Sequence, residues 1–180
     1  MLKPLSEALQ PDPVFHQMIA EVTEGGVRHM TFEDHYDDVA GISLTKDIPA
    51  AVRDAFERAQ HSYLYGWFYF DLTKLAQAQA YAALEAALRL TLGPKIDGNP
   101  WTGIGELLGI ALSRGLFDGL SRQEHDVGLS LTDRLKHLFQ TIQTFRTHLA
   151  NGTSVPEEIG APLNALRDCA NIINHLFRLA

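Results

Sequence analysis

The sequence predicts an all-α fold, an antiparallel helical bundle of about five or six helices, and three observations carry that reading. Leu131, Leu135, Leu138, Ile142, Phe145 and Leu149 recur at spacings of four, three, four, three and four, the stripe of a helix with one buried face. Lys74 to Leu92 is rich in alanine and leucine, the strongest helix formers, and Gly93-Pro94 closes it. After Pro156, Leu163, Leu166, Ala170, Ile173 and Phe177 line one face of a closing helix.

Composition bounds the function. With 180 residues, 46% of them hydrophobic and 21% charged, the chain can form one domain with a substantial core. A formal net charge of −7 provides no broad basic face, so a polyanion would have to be held by a local group of arginines and lysines. The lone cysteine, Cys169, excludes a disulfide framework or a cysteine-based zinc site within one chain and reads as a core residue. No metal site and no cofactor is expected. Met1 to Pro13 has no apolar stretch of signal-peptide length, and no run of eighteen apolar residues occurs. The expected location is cytoplasmic, with no membrane contact.

Residues 1–47 read as an N-terminal extension packed on or near the bundle, and residues 48–180 as the helical domain. In the extension, Leu5, Leu9, Phe15, Met18, Ile19 and Val22 suggest one or two short helices after Pro13, ended by Gly25-Gly26. Glu33 to Asp38 reads as a solvated acidic helix start. His35 among those carboxylates is no metal site, because consecutive side chains diverge. Gly41 to Lys46 is a short strand or linker. Asp47 is the expected N-cap of the next helix, with Pro49 in its first turn.

The aromatic block Tyr63 to Phe70 reads as a buried helix; a base-stacking platform would carry interleaved lysine or arginine, and none lies between Arg58 and Lys74. Residues 93–101 form a loop, Thr102 to Arg114 a shorter helix whose glycines allow close contact, and Gly115 to Gly128 a polar excursion. Ser130 with Asp133 is the expected N-cap of the striped helix.

Two places carry candidate chemistry. Glu85 and Arg89 stand four apart on the row Ala78, Ala82, Glu85, Arg89 and Leu92, which is otherwise small and apolar, so the charged pair is expected to be partly buried or at an interface. The second is Phe145-Arg146-Thr147-His148-Leu149-Ala150-Asn151-Gly152, where the striped helix stops. The plain structural account of that end is a charged flank and a left-handed cap at Asn151-Gly152.

Together these elements resemble the HEPN family of all-α proteins, many of them RNases of bacterial toxin–antitoxin and antiviral systems, others nucleotide binders or scaffolds. The likeness covers about residues 55–180. It rests on the aromatic block followed by Ala82 to Arg89, which is similar to the family's E-x-x-x-K/R helix, and on Leu135 to Gly152, which is similar to the helix ending in R-N-x-x-A-H-G. Arg146, Ala150 and Gly152 match that signature, Thr147 replaces its asparagine, and Asn151 stands where its histidine would be.

The resemblance implies a HEPN-like bundle, a homodimer, and a site built from Glu85, Arg89, Arg146, Thr147 and Asn151 that binds RNA, a nucleotide or a cognate protein partner. It implies no efficient cleavage. An asparagine amide cannot accept the proton that a histidine takes from a ribose hydroxyl, and losing a general base costs about 10²- to 10⁴-fold in rate. One alternative is an active metal-independent RNase using Arg146 with His148, although the two stand about 200° apart around a helix. Another is a purely structural interaction domain.

Overall fold

The computed structural model describes residues 3–23, 25–93, 103–121, 130–152 and 160–178. Residues 94–101 of the loop expected at 93–101, residues 122–128 of the polar excursion, and the segment around Pro156 lie outside the described residues. Six α-helices make up most of the rest: α1 (Phe32–Ala40), α2 (Ala50–Tyr65), α3 (Asp71–Leu92), α4 (Ile104–Ser113), α5 (Leu131–Ala150) and α6 (Ala161–Arg178).

Helix α3 is the axis of the bundle, with α2, α6 and α4 packed around it. Ala76, Ala80, Ala83 and Ala87 are fully buried, spaced four, three and four along α3. Small side chains at that spacing let neighbouring helices approach closely. Leu84 and Leu88 fill the remaining core together with Val52 and Phe56 of α2 and Leu166 and Ile173 of α6. Cys169 is buried among them, and burial pushes its thiol well above its ordinary value.

Helix α5 closes the bundle through Leu135, Leu138, Ile142 and Phe145, and the Phe145 ring meets Tyr81 of α3 edge-on at 5.8 Å. Its stripe does not stay buried to the end, since Leu149 is 59% exposed. Ser130 caps α5 as expected, its Oγ accepting from the Asp133 N–H at 3.1 Å. The glycine of α4 that allows close contact is Gly105, where any Cβ would overlap the Phe139 ring of α5.

The first 47 residues differ from the sequence reading. Pro13–Gln17 is a single 3₁₀ turn, and an antiparallel hairpin of β1 (Ile19–Thr23) and β2 (Gly26–His29) comes next. Val22 pairs with Val27 and Glu21 with Arg28, with Gly26 at φ 131° in the turn. Ile, Val and Thr favour strands, and a period of two was hidden by the short length of the segment. Helix α1 opens on a full capping box between Thr31 and Asp34, with Glu33 and Asp34 giving it an acidic first turn. Helix α2 is flanked by Pro49 with no side-chain cap, so Asp47 does not serve as N-cap.

The aromatic block is not one helix. Helix α2 ends at Tyr65, the chain turns through Gly66 to Phe70, and α3 begins at Asp71. Gly66 is required at this corner, because a Cβ there would lie 2.5 Å from Thr73 Cγ2 and 2.7 Å from the Tyr63 carbonyl. The aromatics form a socket for the N-terminal segment. Phe15 packs on Trp67 at 4.6 Å and on Phe70 at 5.8 Å. Lys3 donates to the Phe68 carbonyl, the Asp12 N–H to the Trp67 carbonyl, and the Phe70 N–H to Asp12 Oδ2.

His35 completes the socket. It is fully buried, stacked on Tyr63 at 4.5 Å, and bonds the Tyr63 carbonyl through Nε2 at 2.9 Å. Since a carbonyl only accepts, Nε2 carries the proton and Nδ1 is the unprotonated nitrogen. Burial lowers its pKa below the ordinary 6.5, outweighing the Tyr63 carbonyl and Asp38, which favour the charged form. The folded state therefore holds His35 neutral while the unfolded chain takes up a proton as pH falls through about 6.5. Stability should be highest above that pH and decline as pH falls toward the lower folded value. The midpoint of urea unfolding, compared between pH 7.5 and 5.5, should drop in the wild type and drop less in His35→Gln. Equal pH dependence in the two proteins would remove His35 as the cause.

Candidate functional site

The structure brings Glu85, Arg89 and Arg146 into one cluster. Glu85 and Arg89 lie one turn apart on α3, and Arg89 Nη2 donates to Glu85 Oε1 at 2.8 Å. Arg146 reaches across from α5, and its Nη2 donates to Glu85 Oε2 at 2.7 Å. One carboxylate thus receives two guanidiniums, one on each oxygen.

Local rules place these groups. Arg146 is seven residues beyond Phe139, so the two share a flank of α5, and Phe139 on Gly105 fixes that flank toward α4. Phe145, buried beside Arg146, holds α5 against Tyr81, which is one turn before Glu85 on α3. The Glu85 side chain is 21% exposed and that of Arg146 is 41% exposed, which makes the cluster a shelf at the rim of the core.

The electrostatics follow from that position. Burial alone pushes the Glu85 carboxyl upward and is the largest single influence. The hydrogen bonds and charges of Arg146 and Arg89 together outweigh it, so the carboxyl stays below its ordinary value and ionised. The guanidinium of Arg146 has five N–H groups, and the bond to Glu85 is its only hydrogen bond among the described residues. It retains donors for a further anion.

The other expected site residues are not gathered there. Thr147 is exposed, and its hydroxyl donates to the Gln143 carbonyl of its own helix at 2.8 Å. Asn151 is the exposed C-cap of α5 and stands about 140° around the helix from Arg146. Its own backbone is right-handed, at φ −85°, and the left-handed residue is Gly152 at φ 63°. His148 is partly buried and lies about 200° from Arg146, on the opposite flank of α5.

Sequence reasoning, through the resemblance, grouped Glu85 and Arg89 with Arg146 in one site but did not foresee that a single carboxylate would bridge both arginines. The signal was present in the charged pair on an apolar row, but nothing local identifies the partner on α5. It also passed over the polar row Asn164, Asp168 and Asn171 of α6, spaced four and three on the flank of an otherwise apolar helix. No protein-family model, curated protein or solved structure matches the chain.

Removing the carboxylate should expose its role. Glu85→Ala removes the carboxylate that bridges Arg89 and Arg146, and partly buried charged hydrogen bonds of this kind contribute about 1–3 kcal/mol. Thermal unfolding by circular dichroism should fall by about 2–4 °C per kcal/mol of stability removed, and by more at low salt than at high salt. An unchanged midpoint at both salt concentrations would show that the cluster does not hold α5 to α3.

Proposed function

We propose that this is a HEPN-like helical protein whose degenerate site holds the phosphate groups of single-stranded RNA without cutting it. The observation that supports the reading is the cluster itself. A half-exposed arginine from α5 is positioned by the Glu85 of an E-x-x-x-R helix, and it keeps unused donors on a rigid shelf. Guanidiniums held this way grip phosphates with two parallel hydrogen bonds. A nucleotide or the acidic surface of a cognate protein offers the same chemistry to the same arginines, and a bacterial defence or toxin–antitoxin setting follows from the resemblance alone.

Catalysis is not part of the proposal. Arg146 can stabilise developing charge, but proton transfer needs a group that titrates near neutral pH within hydrogen-bond reach of the reacting atom. Asn151 cannot titrate, and His148 sits on the other flank of the helix.

Fluorescence anisotropy with a single-stranded RNA oligonucleotide should show binding that weakens as salt rises. Arg146→Ala should weaken it further and flatten the salt slope by about 0.7 for each phosphate the protein no longer neutralises. With chelator present the same RNA should remain intact. Absence of binding, or binding indifferent to Arg146→Ala, would leave the structural reading of the domain. Cleavage lost on His148→Ala would establish the RNase reading instead.

The resemblance further implies two chains per particle, and the outward row of α3 supports a contact surface. Leu75 and Leu90 there are 47% and 53% exposed, with Ala82 and Ala86 between them. Twice 20.0 kDa gives about 40 kDa, which is the mass expected by sedimentation at micromolar concentration. A concentration-independent 20.0 kDa species would exclude the dimer.

A further inference from the structure

The carboxyl-terminal end of α5 carries a reactive pair that the phosphate reading does not use. Asn151 is the exposed C-cap of the helix, and Gly152 follows it in the left-handed region at φ 63°. The Asn151 side chain makes no hydrogen bond among the described residues, so its amide is free to turn.

An asparagine amide can be attacked at Cγ by the backbone nitrogen of the next residue, because both belong to one short stretch of chain. In most of a folded protein that nitrogen is tied into a backbone hydrogen bond and screened by the side chain it carries. At Gly152 both restraints are weak. Its N–H donates to the Leu149 carbonyl at 3.3 Å, a long contact at the very end of the helix. A Cβ built on Gly152 would meet nothing within 4 Å, so the space beside the nitrogen is open. Asn151 stands at ψ −2°, which leaves the Gly152 nitrogen turned away from the side chain. Rotation about that one bond brings the nitrogen to Cγ, and the Leu149 contact is the hydrogen bond it breaks. Helix ends open in this way far more readily than helix interiors.

The other asparagines among the described residues lack that freedom. Asn164, Asn171 and Asn174 lie within α6, and the nitrogens after them belong to Ala165, Ile172 and His175 of the same helix. The amides of Asn171 and Asn174 are also held, by the Ser121 carbonyl at 3.0 Å and the Ser43 carbonyl at 2.9 Å.

We propose that Asn151-Gly152 is a modification site, at which the chain deamidates spontaneously and the cap amide of α5 becomes a carboxylate. The Gly152 nitrogen bonds to Asn151 Cγ, its proton and the side-chain amino group leave together as ammonia, and a cyclic imide remains. Solvent water then opens the imide at either carbonyl, which gives aspartate or isoaspartate. No oxidant, reductant or cofactor is consumed. The new charge stands where a helix end already carries partial negative charge, so it works against the turn of α5 that follows Arg146. The site requires no ligand and does not rest on the phosphate reading.

Peptide mapping of the full chain by mass spectrometry, before and after days at physiological temperature and neutral pH, tests the assignment. Position 151 should gain the mass of an amide-to-acid exchange and appear as two species, aspartate and isoaspartate. Asn164, Asn171 and Asn174 should remain amides over the same interval. Asn151→Gln keeps an amide but must close a larger ring, so conversion at that position should fall by at least about tenfold. An Asn151 that stays an amide in the native chain overturns the proposal, and that result needs no variant. Equal conversion of the α6 asparagines overturns it too, as does aspartate without isoaspartate, which excludes the cyclic imide.

Discussion

Helix α3 carries alanine where α2 and α6 meet it and carries charge where α5 leans on it, and this division shapes the rest of the domain. Small buried residues on one part of its circumference bring two long helices into close contact, which leaves little room for polar groups there. Glu85 and Arg89 lie at the edge of that packed region, where desolvation is incomplete and an ion pair can persist. Arg146 from α5 then finds a carboxylate already oriented by its neighbour. The position of α5 and the geometry of the cluster are thus two aspects of one arrangement.

Helix α5 presents different groups on its two flanks. Alpha-helical geometry sends its Arg146 and Thr141 to flanks about 140° apart. One flank faces the ionic shelf above Glu85, and the other faces α6 across the polar cleft, with Phe145 and Tyr81 packed between them. The shelf is an ion-pair cluster, whereas the cleft is lined by amide, hydroxyl and charged side chains among apolar ones. Their chemistry differs for a reason that lies in the periodicity of one helix.

The N-terminal third is held by a different principle. Its hairpin has no buried face, and a two-stranded hairpin is marginal alone in water. Anchoring comes from Phe15, His35 and Asp12, which fill and hydrogen-bond the aromatic corner between α2 and α3. Arg28 of the hairpin adds a two-nitrogen contact to Asp34 at the start of α1. The corner that looks from sequence like the continuation of a helix is a socket whose rings need a partner from far along the chain.

Local order was legible in the sequence. The stripe of α5, the alanine-rich α3, the closing helix and the cap at Ser130 all follow from periodicities and capping chemistry that act within a few residues. So did the expectation that Glu85 and Arg89 would be partly buried, because a charged pair on an apolar row has few other places to go. Tertiary structure alone decided what depends on distant partners. Gly66 ends α2 because Thr73 and the Tyr63 carbonyl occupy the space a side chain would need, His35 is buried because Phe15 and Tyr63 enclose it, and Asn151 is kept from Arg146 by the turn of the helix that joins them. Pairing across 61 residues of sequence, as between Glu85 and Arg146, leaves no local trace, since a salt bridge is specified by where two helices pack and not by the residues beside either partner.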